Sequence, residues 1–364
     1  MLFDTGKTSA SYKQSPLFLG DYLGLHDTIH QPYPVFENLY QRMVKANWVE
    51  WEVPMTPAIV SEYASLPEDA QFLMFATLAW QWEADTLASR SILSGFSPFI
   101  TNSELLRVWA LITSNEFTHA ATYSHVVKSM FNDSEGALEK IVKIKENFAR
   151  MDKVMSVMQT LSKEGCKYAL GVVRNDQSLY NTVILGVVAL FLMERIQFMA
   201  SFAITNVICA NGLLQPVKLL VQKIAQDELN IHVQVDKAVI AIEKGTERGS
   251  IAFAQLSNEI EQLFAEVVQA ELQNARFLFN NGGRNIAGLS LPKLERWIMF
   301  CAKDAYTILG LTSTWSFPEE NPLPDMNLFT NVGSIDSAPQ EIPPPVYLLN
   351  SIQPGNPDRK FALV

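Results

Sequence analysis

Apolar positions recur at three- and four-residue intervals along most of this chain, the period of a helix with one buried face. Leu66-Pro67-Glu68 opens one such segment, with a proline in the first turn and acids after it. That suits a helix start, where an N–H would have no partner in any case. The helix is expected to run through Asp85 to about Ser94, with a turn at 95–100. Thr101-Asn102-Ser103-Glu104 is a capping signature for the next helix, which carries Glu116 and His119. The same periodicity predicts helices at about 136–164, 178–210, 214–243, 248–281 and 290–313, with no strand-rich region.

The pattern divides the chain in three. Residues 1–33 show no clear period and read as an irregular N-terminal arm; 34–315 read as one helical domain. From about Ser316 prolines cluster, at 318, 322, 324, 339, 343, 344, 345, 354 and 357. Such a segment cannot continue a helix and buries little, so 316–364 reads as a flexible tail. It ends in Lys360-Phe361-Ala362-Leu363-Val364. Plain disorder and docking into a partner's groove explain that apolar tip equally well on pattern alone.

One stretch is apolar enough to raise the question of a membrane. Residues 183–193 are almost wholly apolar and 198–210 follow in kind, but Glu194, Arg195 and Gln197 sit between them. Charges at a bilayer centre are costly, so a buried helix of a large bundle is expected instead, and no membrane.

Composition narrows the class. The chain has 364 residues, of which 48% are hydrophobic, enough for a large core, and its 17 glycines favour helices over a turn-rich β architecture. The net charge of −10, with no long Lys/Arg run, speaks against nucleic-acid binding. Cys166, Cys209 and Cys301 are odd in number and form no CxxC, so zinc and disulfide readings are weak and a reducing cytoplasm is expected. The N-terminus shows no apolar core of a signal peptide.

The chemistry lies in the histidines. There are five, His26, His30, His119, His125 and His232, and two follow a glutamate at helical spacing: Glu116-Phe-Thr-His119 and Glu228-Leu-Asn-Ile-His232. Residues three or four apart share a helix face. Two-metal carboxylate bundles combine two such helices with one acid from each of two others. Asp85 lies 31 residues before Glu116 and Glu194 lies 34 before Glu228, each a suitable interval for a helix, a turn and an antiparallel return. Glu194 also sits in an extremely apolar helix, where an unpaired carboxylate would be expensive. A dinuclear metal site accounts for this set better than chance buried ion pairs. Oxygen and imidazole ligands suit iron or manganese.

Tyr123 falls on the Glu116–His119 stripe, one turn beyond the histidine. Phe198 and Phe202 follow Glu194 by four and eight, and Ile224 precedes Glu228 by four, so the phenol is placed to face an apolar wall. An oxidisable tyrosine and an ordinary core tyrosine both fit this placement.

The combined motifs resemble the small (β) subunit of class I ribonucleotide reductases, tyrosyl-radical type. The segments that carry the resemblance are Glu116-Phe-Thr-His-Ala-Ala-Thr-Tyr-Ser-His125, Asp85-Thr-Leu-Ala-Ser-Arg90, Met193-Glu-Arg-Ile-Gln-Phe-Met-Ala-Ser-Phe202 and Ile224-Ala-Gln-Asp-Glu228. Trp48-Val-Glu-Trp-Glu-Val-Pro54, Asn321-Pro-Leu-Pro324, Ala338-Pro-Gln-Glu341 and Tyr347 extend it from about residue 35 to the end. The resemblance implies an all-α, ferritin-like helical bundle. Asp85, Glu116, His119, Glu194, Glu228 and His232 would hold two iron ions, with manganese or a mixed pair as alternatives. Tyr123 would carry a radical formed with dioxygen in a pocket of Phe198, Phe202 and Ile224. Trp48, Asp227 and His119 would pass the oxidising equivalent on, and Tyr347, assisted by Glu341, would relay it into a large (α) subunit docked by the C-terminal tail. The resemblance also implies a homodimer.

Two positions depart from the family pattern. The second metal motif is normally Glu-x-x-His, but position 231 is Ile and His232 comes one residue late. Either the helix carries a one-residue π-bulge or the register of the second metal differs. Gln226 stands where related bacterial chains would have a basic residue. Two rivals remain. A ligand-binding oxidase or desaturase would need neither the Trp48–Asp227 pair nor a tail with Tyr347, and a non-enzymatic helical scaffold would hold no stoichiometric metal.

Overall fold

A computed structural model describes residues 4–21 and 24–331. Eleven helices build its frame: α1 (Pro34–Ala46), α2 (Glu68–Phe96), α3 (Ser103–Met130), α4 (Lys145–Ala169), α5 (Gln177–Leu192), α6 (Met199–Ile208), α7 (Gln215–Asp227), α8 (Val233–Lys244), α9 (Ser257–Leu278), α10 (Leu291–Leu309) and α11 (Asp325–Thr330). Shorter helices at Ser9–Lys13, Ala58–Ser65, Ser134–Ile141 and Glu247–Gln255 fill connections. No strand occurs among the described residues, only isolated bridges such as Phe18 with Ile100.

The local signals explain where helices begin. Pro67 precedes α2, whose first turn holds Glu68 and Asp69, acids that complement the positive end of the helix dipole. Asn102 caps α3 by accepting a hydrogen bond from the Leu105 N–H at 2.8 Å, and Asp176 caps α5 through Leu179 at 2.9 Å. Helix α10 ends at Gly310, whose φ of +70° is the left-handed cap that glycine adopts without strain.

Helices α2 and α3 are the longest and pack on each other; α4 and α6 lie against α2, and α7 against α3. Gly95 belongs to α2 and is not the turn residue expected at 95–100. A Cβ at Gly186 on α5 would approach Leu161 of α4 to 2.9 Å, and one at Gly95 would reach the same side chain at 3.3 Å. Both glycines are therefore close-approach positions that let three helices converge on Leu161.

Other boundaries also moved. The helix expected at 136–164 is two, broken at 142–144, where Ala137, Ile141 and Ile144 turn into a small cluster with Ala79 and Val127. The helix expected at 248–281 breaks at Leu256. Residues 316–331, read from their prolines as tail, lie on the body: α11 packs against α7 and buries Met326 and Phe329. In the N-terminal arm, Leu17, Phe18 and Leu19 are buried, and Phe18 packs on Phe96 and Trp109.

The stretch Gln177–Asn211 is long and apolar enough to cross a membrane by length and composition, but 89% of its most apolar window is buried inside the protein, as expected of a core helix. It is interrupted by a π turn at Met193–Gln197, between α5 and α6, and a second π turn at Glu228–His232 joins α7 to α8. The two π turns pack against each other, and between them they carry three of the expected metal ligands.

Candidate metal centre

Four separate elements deliver the six expected ligands to one point. Asp85 comes from α2, Glu116 and His119 from α3, Glu194 from the first π turn, and Glu228 and His232 from the second. Ligand atoms of Asp85, Glu116 and His119 lie within 4.8 Å of one another, as do those of Glu116, Glu194, Glu228 and His232. Glu116 belongs to both groups. All six side chains are buried.

The second π turn settles the spacing at His232. A π turn adds one residue to the helix, so Glu228 and His232 face the cluster together despite their four-residue separation. His232 Nδ1 is 3.0 Å from Glu228 Oε2 and 2.9 Å from Glu116 Oε1.

The histidines are set by partners outside the cluster. His119 Nε2 is 3.2 Å from Asp227 Oδ2, and His232 Nε2 is 3.0 Å from Asn115 Oδ1. Each ring can give its Nε2–H to an oxygen acceptor and present Nδ1 to the cluster, the arrangement of a metal-binding imidazole. Asn115 escaped the sequence reading, although it sits next to Glu116 on α3. Asp236 was missed too. It is buried one turn beyond His232, and burial pushes its carboxyl well above the usual range. Its i, i+4 relation to His232 was the available signal.

The polar atoms inside the cluster test whether metal fits. Both oxygens of Asp85, Glu116 and Glu194, together with Glu228 Oε1 and His119 Nδ1, have no hydrogen-bond partner among the described residues. Several are nonetheless close, such as His119 Nδ1 and Glu228 Oε1 at 3.0 Å. Closeness without hydrogen-bond alignment is what atoms converging on a shared cation give. Buried polar groups without partners are costly, and four buried carboxylates with two neutral imidazoles would carry a charge that two divalent ions cancel. The residues fit a dinuclear metal centre.

The charges of these side chains strain against burial. Burial, then the neighbouring Glu116, holds the Asp85 carboxyl well above its usual range, and burial with Glu228 does the same to Glu194. Burial works against the Glu228 carboxylate too, but His232, Glu194 and His119 outweigh it and hold that carboxyl well below its usual range. Burial opposes charge on His232 as well, yet Glu228 and Glu116 push its pKa up to about 10.

Tyr123 is fully buried on α3, and its hydroxyl has no hydrogen-bond partner among the described residues. Burial, followed by the charges of Asp85, Glu228 and Glu116, holds the phenol well above its usual pKa, so it stays protonated. Phe198, Phe202 and Ile224 are all fully buried, and the two phenylalanine rings stack with centroids 5.7 Å apart.

A second chain of contacts leads outward. The buried Trp48 donates its indole N–H to Asp227 Oδ2 at 2.7 Å and stacks on His119 with ring centroids 6.0 Å apart. Asp227 thus bridges Trp48 and His119 through one oxygen. Glu341 and Tyr347 lie outside the described residues.

The first π turn is braced from α4. Arg150 stacks on Trp80 at 3.8 Å from the ring centroid, pairs with Glu271 on α9, and donates to the carbonyl of Gln197. Gln197 returns its side-chain N–H to the Arg150 carbonyl at 2.8 Å. A π turn frees backbone groups from the helical ladder, and Arg150 supplies a partner for one of them.

Comparison with known proteins decides the family. The sequence model for "Ribonucleotide reductase, small chain" matches residues 27–322. The chain belongs to the ribonucleotide reductase small-chain family. A ribonucleoside-diphosphate reductase subunit beta of Haemophilus influenzae is 24% identical over 357 residues, covering 93% of each chain. One from Enterobacteria phage T4 is 24% identical over 363 residues, covering 93% of this chain and 92% of that one. Among solved structures, the ribonucleotide reductase R2 subunit from Clostridium botulinum superposes with a TM-score of 0.78 at 17% identity, covering 91% of this chain and 98% of that one. The dimanganese(II)-NrdF of Streptococcus sanguinis gives 0.63 at 11% identity, covering 86% and 100%. These structures share the all-α, ferritin-like fold. Family membership makes this chain the small-chain component of an oxidoreductase that works with a large chain, and it sets aside the desaturase and scaffold readings.

Proposed function

We propose that this chain generates and stores a radical on Tyr123 and sends the oxidising equivalent to a large subunit that reduces ribonucleoside diphosphates. The observation that carries this reading is a fully buried phenol without a hydrogen-bond partner among the described residues, on the same helix stripe as Glu116 and His119. Asp85, Glu116, His119, Glu194, Glu228 and His232 would hold two iron ions; manganese fits the same oxygen and nitrogen donors. When bound, such a pair supplies the oxidising power by reducing dioxygen.

The chain's own residues do the rest. Tyr123 gives up one electron and its hydroxyl proton together, because burial disfavours the phenolate, and the buried carboxylates of the cluster are the bases that can take the proton. Phe198, Phe202 and Ile224, all fully buried, would keep water and reductants from the phenoxyl oxygen. Asp227 accepts a hydrogen bond from Trp48 and faces His119, so a proton can shift along the bridge as Trp48 passes an electron inward and the oxidising equivalent moves outward. Tyr347 and Glu341, on the C-terminal segment, would complete the relay. The acidic, reduced-cysteine composition fits the cytoplasm. The exposed face of α3, marked by Phe117 at 55% exposure, is the face we assign to a second copy of the chain.

Turnover tests this reading. Metal-loaded protein mixed with its large chain should convert ribonucleoside diphosphates to deoxyribonucleotides, and the preparation should sediment as a dimer. Tyr123→Phe should keep its metal and lose at least about a thousandfold in rate. Near-wild-type turnover in that variant would refute the assignment.

A further inference from the structure

The described chain ends against the same π turn that carries two metal ligands. Helix α11 buries Met326 and Phe329 and lies on α7, with Asn206 Nδ2 3.5 Å from Met326 Sδ. Backbone carbonyls at a helix C-terminus lie beyond the helical ladder and take partners from outside it. Two amide side chains meet them. Gln226 Nε2 donates to the Asn331 carbonyl at 3.0 Å, and Asn230 Nδ2 donates to the Thr330 carbonyl at 3.0 Å. Asn230 Nδ2 also reaches the Gln226 carbonyl at 2.9 Å, which ties the two amides together.

Their places in the sequence matter. Gln226 precedes Asp227, the residue that bridges Trp48 and His119. Asn230 lies in the middle of the π turn whose ends are Glu228 and His232. The added residue of that turn keeps His232 on the cluster and leaves Asn230 facing α11. Gln226 is only 6% exposed, where a neutral amide donor costs less to bury than the cation expected at this position.

We propose that Gln226 and Asn230 form an amide clamp that fixes the root of the C-terminal segment beside Asp227. They are positioning residues for transfer of the oxidising equivalent to the large subunit, an inference that rests on the function proposed above. Tyr347 lies sixteen positions beyond Asn331, so the segment spans at most about 55 Å from its root. Fixing the root on the Asp227 face sets where that reach begins.

The test uses full-length protein with Gln226→Met and Asn230→Leu, singly and together, which keep shape but remove the donors. Hydrogen–deuterium exchange of residues 323–331, which needs neither radical nor large chain, should accelerate at least about tenfold in the double variant. Turnover at saturating large chain should fall about tenfold while KM for that chain moves less than about twofold. Gln226→Lys, which restores a donor, should recover at least about half of the rate lost in Gln226→Met. Unchanged exchange would overturn the clamp. Faster exchange with wild-type turnover would also overturn the proposal, since the contact would then only hold α11 in place. If Asn230→Leu lowers metal content, Gln226→Met, outside the ligand turn, decides the matter. Wild-type protein without any radical would instead refute the proposed function, and the exchange result would still judge the clamp.

Discussion

His232 shows how one residue can be legible in type and ambiguous in register. Its spacing from Glu228 admits either a bulged helix or a displaced second metal, because both i+3 and i+4 positions share a face. The π turn at Glu228–His232 puts its Nδ1 within 3.0 Å of two cluster carboxylates. His232→Ala should therefore reduce bound metal from two ions per chain to about one, read by elemental analysis of protein loaded and then desalted. Two ions retained would remove His232 from the ligand set. Asn115 was not legible as its partner, since an asparagine beside a glutamate on a helix gives no sign of which side chain lies across from it.

At the scale of elements, the sequence carried the long helices well and their interruptions poorly. The turn at Met193–Gln197 left no trace, because no histidine follows Glu194 to reveal a shifted register and the flanking residues are apolar on every side. The break at 142–144 has neither glycine nor proline. Residues 316–331 erred the other way: their prolines are real helix breakers, but Met326 and Phe329 find a groove on the body. What holds the first π turn is a tertiary contact, the Arg150–Glu271 pair with the Gln197 carbonyl. Breaking a buried ion pair from one side leaves an uncompensated charge, typically about 3–5 kcal/mol. Arg150→Ala should cost stability of that order in urea denaturation and should also lower metal content, because Glu194 sits in the turn it braces. A loss under about 1 kcal/mol with full metal occupancy would show that the π turn stands without Arg150.

For the whole molecule, the bundle brings four distant segments to a single buried point and links that point through Asp227 to the buried Trp48. The order of one acid, a Glu–His pair, one acid and a second Glu–His pair was readable because helix periodicity fixes which residues can share a face. The bridge was readable only through family resemblance, since nothing local links Trp48 to a residue 179 positions away. Oxidation of Tyr123 is the step we propose this architecture serves. Metal-free protein should be loaded with ferrous iron, exposed to oxygen, and examined by electron paramagnetic resonance beside Tyr123→Phe. A tyrosyl signal in the wild type, absent from the variant at equal iron content, is the predicted result. The same signal in both proteins, or none in either after loading with iron and then with manganese, would contradict it.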